Sequence, residues 1–473
     1  MSLAETLGIR FGTDGWRDVI AERYTFANVR RVAQALCDVL AEEGGPRAIV
    51  VGYDTRFLSD RFALAVARVA SANGFEAWLT QAPTPTPAVA WATRERGAAA
   101  GVMITASHNP PVYNGFKIKG PFGGPALPEF TAAVERRLAE NAAAGREPRE
   151  DGALVRTFDA LPSYLEQVRR LVRFDLVARA AGPWISDAMH GAGRGILAGL
   201  LREAGLAVEE IRGDINPSFG GVNPEPVAAN LRALQEAVAA RGARGGLVTD
   251  GDADRVGAVD EAGRIVDSQR IFALLLQHLV EDRGWRGTVV KTFAVTDMVD
   301  QLARRYGLEV LQRPVGFKYV TEYALQGDLL LGGEESGGLG VRGHLPERDG
   351  ILCALLLVEM CGARGKTLGA LVEDLMASLG YHVYRRVDLH LTEEAKSRLM
   401  ERLRTAPPRS VGGLAVTGVD PLDGFKLRLE ERGWILFRAS GTEPVVRVYA
   451  ELDDDETLDR VLEAGRALAE RGD

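Results

Sequence analysis

Three times this chain runs an apolar, β-prone stretch, a helical stretch and a second apolar stretch that stops in a polar, glycine-rich loop. "AGVMI" leads into "TASHNPPVYNGFK", "GGLVT" into "DGDADR", and "DLLL" into "GGEESGG". Strand and helix patterns that alternate in this way build parallel α/β layers, whose ligand sites lie beyond the carboxyl ends of the strands. The repetition predicts three related α/β domains that pool their strand ends. Length agrees, because 473 residues exceed what one hydrophobic core can serve; at about 150 residues per domain the chain holds roughly three or four.

Beyond residue 380 the pattern changes. "YRRVDLHL", "FKLRLE", "WILFRAS" and "VVRVYAEL" alternate apolar and polar residues before a C-terminal helix, with "TAPPRSVGG" as a turn-rich connection. Such closely spaced alternation predicts a smaller α+β domain with antiparallel strands. The seams fall near residues 155, 260 and 380, giving domains over 1–155, 156–260, 261–380 and 381–473.

Composition narrows the function classes. A net charge of −8 argues against nucleic acid as the main partner, since binding it requires a basic field. No stretch of 18 apolar residues occurs and the N-terminus lacks a secretion pattern, so no membrane partner and a cytoplasmic location are expected. Cys37, Cys353 and Cys361 are too few and scattered for a disulfide framework or a zinc site, and read as core thiols. Only seven of the 57 basic residues are lysine, which singles out each lysine that falls inside a motif.

In "MITASHNP", Ser107 sits at the tip of a turn with His108 beside it. Ser, Asn and Pro are ordinary turn residues, so this stretch alone suits a turn as well as a nucleophile. "DGDADR" places Asp250, Asp252 and Asp254 at alternate positions, so that three carboxylates converge and call for a hard cation, Mg²⁺ or Ca²⁺. An EF-hand is excluded: Glu261 falls at the twelfth position, but Arg255 stands at the sixth, where the sharp turn needs Gly. A Mg²⁺ site is the better reading, with a solvated acidic turn as the plain alternative. "RASGTEPVVR" supplies Arg438, Ser440, Gly441, Thr442 and Arg447, a set of small residues, hydroxyls and guanidinium forks suited to phosphate, or else a hairpin with exposed arginines. "GGEESGG" offers Glu334 and Ser336 for sugar hydroxyls, and "FGTDGWR" and "PVGFKYV" each present one cation, Arg17 and Lys318.

Taken in this order, these stretches resemble the α-D-phosphohexomutase family, the phosphoglucomutases and phosphomannomutases, from about Phe11 to the C-terminal helix. The resemblance implies a heart-shaped protein of three α/β domains and a smaller C-terminal one, with a loop from each lining a central cleft. It implies that Ser107 carries a phosphoryl group and that Asp250, Asp252 and Asp254 bind Mg²⁺, with a phosphoserine oxygen as a further ligand. Glu334 and Ser336 then grip the sugar, while Arg438, Ser440, Gly441, Thr442 and Arg447 hold the phosphate that is not reacting. Lys117 and Lys318 resemble the family's acid/base lysines, and Arg17, His108 and Arg255 would steady phosphoryl charge. Many relatives end the sugar loop with His where this chain has Gly338, so that residue's role does not transfer. The implied activity interconverts hexose 1- and 6-phosphates of glucose or mannose, activated by a hexose 1,6-bisphosphate, in a monomer or homodimer. Glu335, Gly338 and Trp16 favour these sugars over glucosamine; a metal-assisted sugar phosphatase and a non-catalytic sugar-phosphate sensor are the remaining alternatives.

Overall fold

A computed structural model describes residues 8–440 and 445–470. Its strands form four sheets. The first has the spatial order Trp16–Val19, Tyr113–Lys119, Ala100–Ile104, Ala48–Tyr53, Glu76–Thr80, Val155–Phe158. The second runs Ile265–Val266, Val256–Asp260, Gly245–Thr249, Pro183–Asp187, Ala207–Ile211, and the third Leu339–Val341, Leu329–Gly333, Thr288–Thr292, Val310–Arg313. One order recurs in all three: two parallel strands, the parallel strand that leads into a polar loop, and then an antiparallel strand that follows the loop.

The parallel α/β layers expected are present, and each carries in addition an antiparallel strand that the sequence reading did not anticipate. The strands entering the three loops, Ala100–Ile104, Gly245–Thr249 and Leu329–Gly333, are buried throughout, as strands covered on both faces must be. The strand after each loop turns back on its neighbour, so each loop is the tip of a hairpin at the point where the sheet changes sense. Short apolar runs record burial but not direction, which hid this feature in the sequence.

The strands also overrun two seams. Val155–Phe158 pairs with Glu76–Thr80 in the first sheet, past residue 155, and Ile265–Val266 completes the second sheet, past residue 260. The fourth sheet is wholly antiparallel, as expected, and has the order Val383–His390, Val445–Leu452, Gly433–Ala439, Phe425–Leu429, Leu414–Asp420, Ser410–Val411. The stretch read as a bare connection thus contributes the short strand Ser410–Val411. The three cysteines are buried thiols.

The second and third units share one core, in which Tyr164, Trp184 and Leu247 pack with Phe272, Leu331 and the buried helix Gly350–Arg364. The fourth domain meets the third through Phe293, Ala294, Trp434, Leu436 and Tyr449. Among the described residues no helix is long and apolar enough to cross a membrane.

Candidate active site

Ser107 adopts φ +52°, a left-handed conformation uncommon outside glycine, and is buried. Beneath its loop lies a strut the sequence reading missed. The buried Arg56 donates from Nη2 to the carbonyls of Ser107 and Asn109, both at 2.6 Å, and from Nη1 to those of Pro110 and Tyr113. Asp54 holds this guanidinium at 3.2 Å and accepts from Thr105 Oγ1, which in turn accepts from the Ser107 N–H. A strained turn persists only when its surroundings over-determine it, and here four carbonyl contacts do so.

The hydroxyl of Ser107 donates to Asp250 Oδ2 at 2.7 Å, so the first two loops meet at the proposed nucleophile. Ligand atoms from Asp250, Asp252 and Asp254 lie within 4.8 Å of one another and are buried. Asp252 Oδ1 and Asp254 Oδ1 accept no hydrogen bond from the described residues, although buried acceptors ordinarily find a partner. Burial, and then the carboxylates of Asp254 and Asp252, push the Asp250 pKa well above the usual range. Orphaned oxygens, crowded like charges and an all-oxygen donor set fit a hard divalent cation.

Lys117 reaches the same carboxylates from the strand Tyr113–Lys119, with Nζ 2.8 Å from Asp252 Oδ2, 3.1 Å from Asp254 Oδ2 and 2.8 Å from Asp14 Oδ2. Burial alone would favour its neutral amine, but these three carboxylates more than offset that and raise its pKa above the ordinary lysine value. Lys117 is therefore a fixed cation here.

Burial, then Arg255, Arg17, Arg386 and Lys117, hold the His108 pKa well below 6.5, which favours the neutral imidazole. Its Nδ1 is buried and has no hydrogen-bond partner among the described residues. The cations that act on it come from the first, second and fourth units, so basic residues from three units gather near Ser107 in a chain that is acidic overall. Arg17 donates to Asn109 Oδ1 at 2.7 Å, while Arg255 lies 3.9 Å from Asp250 and 3.8 Å from Asp254.

The third loop joins the second by backbone contact, because the Val256 N–H donates to the Gly337 carbonyl at 3.1 Å. Glu334 is buried and accepts from Arg348 Nη1 at 3.1 Å; burial raises its pKa although Arg348 opposes the shift. Ser336 is half-buried. Arg348, Glu347 and Lys119 had no distinguishing motif in the sequence, and Asp14 was given no role within "FGTDGWR", yet Arg348 bonds Asp14 and Lys119 bonds Glu347 inside the same network. Lys318 lies outside it: at the start of the helix Phe317–Gln326, its Nζ is 5.2 Å from the Tyr319 ring centroid, and no carboxylate among the described residues is in ion-pair range.

In the fourth sheet Arg438 and Arg447 are direct cross-strand partners. Like charges so placed repel unless countered. Arg438 Nε donates to Asp423 Oδ2 at 2.8 Å and Arg447 Nε is 3.8 Å from Asp388 Oδ2. The Val315 N–H also donates to Asp423 Oδ2, at 2.8 Å, which ties this sheet to the third unit. Ser440 is buried beside the pair; Gly441 and Thr442 lie outside the described residues. Trp16 does not face the cleft: it packs on Tyr24 in the first core, with ring centroids 4.8 Å apart, and cannot report on the sugar.

Comparison with known proteins gives this geometry its relatives. Profiles described as phosphoglucomutase/phosphomannomutase alpha/beta/alpha domains I, II and III match residues 8–144, 162–263 and 267–379, and that of the C-terminal domain matches 394–467. The "Phosphoglucomutase/phosphomannomutase" of Thermococcus kodakarensis is 32% identical, over 98% of this chain and 99% of its own. The "Phosphoglucosamine mutase" of Desulforamulus reducens is 30% identical, over 96% and 97%. The crystal structure of a candidate phosphomannomutase from Thermus thermophilus superposes with a TM-score of 0.88 at 40% identity, covering 99% of this chain and all of the other. With each of its four units matched in order, the chain belongs to the phosphoglucomutase/phosphomannomutase family of phosphohexomutases.

Proposed function

We propose that this enzyme interconverts the 1- and 6-phosphates of glucose and mannose through phosphorylated Ser107 and a hexose 1,6-bisphosphate, with Mg²⁺ on Asp250, Asp252 and Asp254. One observation carries the reading: Ser107 Oγ is buried 2.7 Å from Asp250, which stands with Asp252 and Asp254 as one cluster of carboxylates. Phosphoryl transfer asks for charge neutralisation and in-line positioning rather than covalent ingenuity. A divalent ion held by the three aspartates would draw charge from the transferring oxygens.

The chain's own residues supply the rest. The bond from Ser107 Oγ to phosphorus breaks as the sugar's free 1- or 6-hydroxyl oxygen bonds to that phosphorus. Arg17, Arg255 and Lys117 counter the equatorial oxygens, and the neutral His108 offers a hydrogen bond without charge. Lys117 is held charged by three carboxylates, so Lys318 is assigned to take the hydroxyl proton. Glu334 and Ser336 hold sugar hydroxyls, and Arg438, Ser440, Gly441, Thr442 and Arg447 hold the distal phosphate. The bisphosphate then turns over, and Ser107 takes back the phosphate now presented to it.

For the sugar, support comes from the Thermus and Thermococcus relatives, since Trp16 is buried in the core and Glu335 is turned to Thr292 and Tyr449. The phosphoglucosamine mutases supply the competing outcome. Intact mass before and after adding glucose 1,6-bisphosphate should show a phosphoryl group gained at Ser107. Assays on glucose, mannose and glucosamine 1-phosphates should then find the amino sugar at least about tenfold poorer in kcat/KM, a gap one mismatched polar contact can supply. A preference for glucosamine 1-phosphate overturns the sugar assignment, and failure to phosphorylate Ser107 overturns the mechanism.

A further inference from the structure

The two glycines that close the third loop are there for different reasons. Gly337 has φ +89°, a conformation that favours glycine. Gly338 has an ordinary φ, so its backbone would accept any side chain. Its constraint is spatial: a Cβ at 338 would lie 2.3 Å from Arg348 Cδ, 3.0 Å from Cγ and 3.5 Å from Nε. The space that a side chain at 338 would fill belongs to the Arg348 chain.

A flexible arginine could ordinarily step aside, but this one is pinned at both ends. Its backbone precedes Asp349, which caps the helix Gly350–Arg364 by accepting from the Leu352 N–H and also accepts from Tyr164 Oη at 2.9 Å. Its guanidinium is buried and shared among three carboxylates from different loops, Asp14, Asp254 at 2.8 Å and Glu334 at 3.1 Å, with the adjacent Glu347 a fourth at 3.8 Å. The Phe317 ring lies 5.5 Å from its Cζ. The three partners are unequally dependent on it. Asp254 also has Lys117 at 3.1 Å, and Asp14 has Lys117 at 2.8 Å, whereas Arg348 is the one cation paired with Glu334 among the described residues.

We propose that Arg348 is a positioning residue which occupies the space left by Gly338 and locks the sugar-gripping Glu334 to Asp254 and Asp14, fixing sugar recognition in the frame of phosphoryl transfer. The proposal rests on the mutase reading above. Arg348 acts through Glu334 and does not itself exchange a proton, because a guanidinium stays charged. Its planar guanidinium spans Asp14, Asp254 and Glu334 in one fixed geometry, and Gly338 leaves the space its chain occupies, so Gly338 and Arg348 form a matched pair.

The test is a double-mutant cycle on the full chain with Arg348→Ala, Gly338→Ala and the two combined, plus Arg348→Lys. Kinetics with glucose 1-phosphate are read beside calorimetric titrations with glucose 6-phosphate and with Mg²⁺ alone. Arg348→Ala should lower kcat/KM about 100-fold and weaken glucose 6-phosphate about tenfold while Mg²⁺ affinity stays within about threefold. Arg348→Lys should recover part of that loss. Gly338→Ala should reproduce it by displacing the arginine, and should cost under about twofold more once Arg348 is already alanine. Losses that multiply in the double variant, or an equal fall in Mg²⁺ and sugar-phosphate affinity, would overturn the proposal. Should Arg348→Ala fail to fold, Gly338→Ala alone decides: wild-type kcat/KM overturns it, and loss confined to the sugar phosphate supports it. A wild-type chain that binds Mg²⁺ and glucose 6-phosphate yet shows no turnover would instead strike the mutase reading, leaving the coupling of Gly338, Arg348 and sugar-phosphate affinity to be judged from the binding cycle.

Discussion

Ser107 is held in a conformation that costs a non-glycine residue about 1 kcal/mol or more, and the Arg56 strut sustains it. The hydroxyl is thereby aimed at Asp250 instead of being averaged over rotamers. Neither Arg56 nor Asp54 grips a sugar or phosphate in the proposed mechanism, so the chemistry can be removed without removing the scaffold. Ser107→Ala should lower turnover by at least about 10³-fold while glucose 6-phosphate still binds within about threefold of wild type. Intact mass should show no phosphoryl group after treatment with glucose 1,6-bisphosphate. Turnover near wild type would remove Ser107 from the mechanism.

At the scale of elements, the three loops were legible because each breaks a buried apolar run with glycines and charges, and that contrast survives in sequence. The antiparallel strand after each loop was not, since pairing direction leaves no mark in a short apolar run. Arg348 was invisible for another reason: one arginine among fifty has no spacing to single it out, and its meaning, like that of Asp14 in "FGTDGWR", lies in contacts across the chain. Lys426, on the strand Phe425–Leu429, is a further case. Its Nζ is buried without an acceptor, 4.5 Å from the Phe293 ring and 4.2 Å from the Trp434 ring, at the seam of the third and fourth units. The ring faces favour the ammonium, but burial and then Lys291 outweigh them and lower its pKa to about 7. The unfolded chain, titrating near 10.5, binds the extra proton between these values, so this lysine makes stability rise with pH from about 7 towards 10.5. Below 7 both states are protonated and its contribution is level. Denaturant unfolding across that range should show the rise, and Lys426→Met should flatten it; a variant with an unchanged slope would assign the rise elsewhere.

The whole molecule gathers charge from all four units at one place while carrying a net charge of −8. Glu225 lies 4.0 Å from Arg255 and 3.9 Å from Arg386, and Asp423 bridges Val315 and Arg438, so carboxylates sit on the cations that a substrate phosphate would engage. A phosphate displacing them would trade one set of charge pairs for another, and the fourth domain would be held to the rest partly through the ligand. Arg447 tests this. Its pair with Asp388 is long and partly exposed, a kind of pair that contributes little, so Arg447→Ala should weaken the complex by more than it weakens the free protein. The same change removes a guanidinium–phosphate contact, for which charge-assisted bonds contribute about 1.5–3 kcal/mol, so glucose 6-phosphate should bind at least about tenfold more weakly and kcat should fall with it. Thermal unfolding with and without glucose 6-phosphate separates the two effects: the rise in midpoint on adding the sugar phosphate should be smaller for the variant than for wild type. If the free protein is destabilised as much as the complex, Arg447 supports the sheet and not the ligand, and the distal phosphate must be sought at Arg438, Ser440, Gly441 and Thr442 alone.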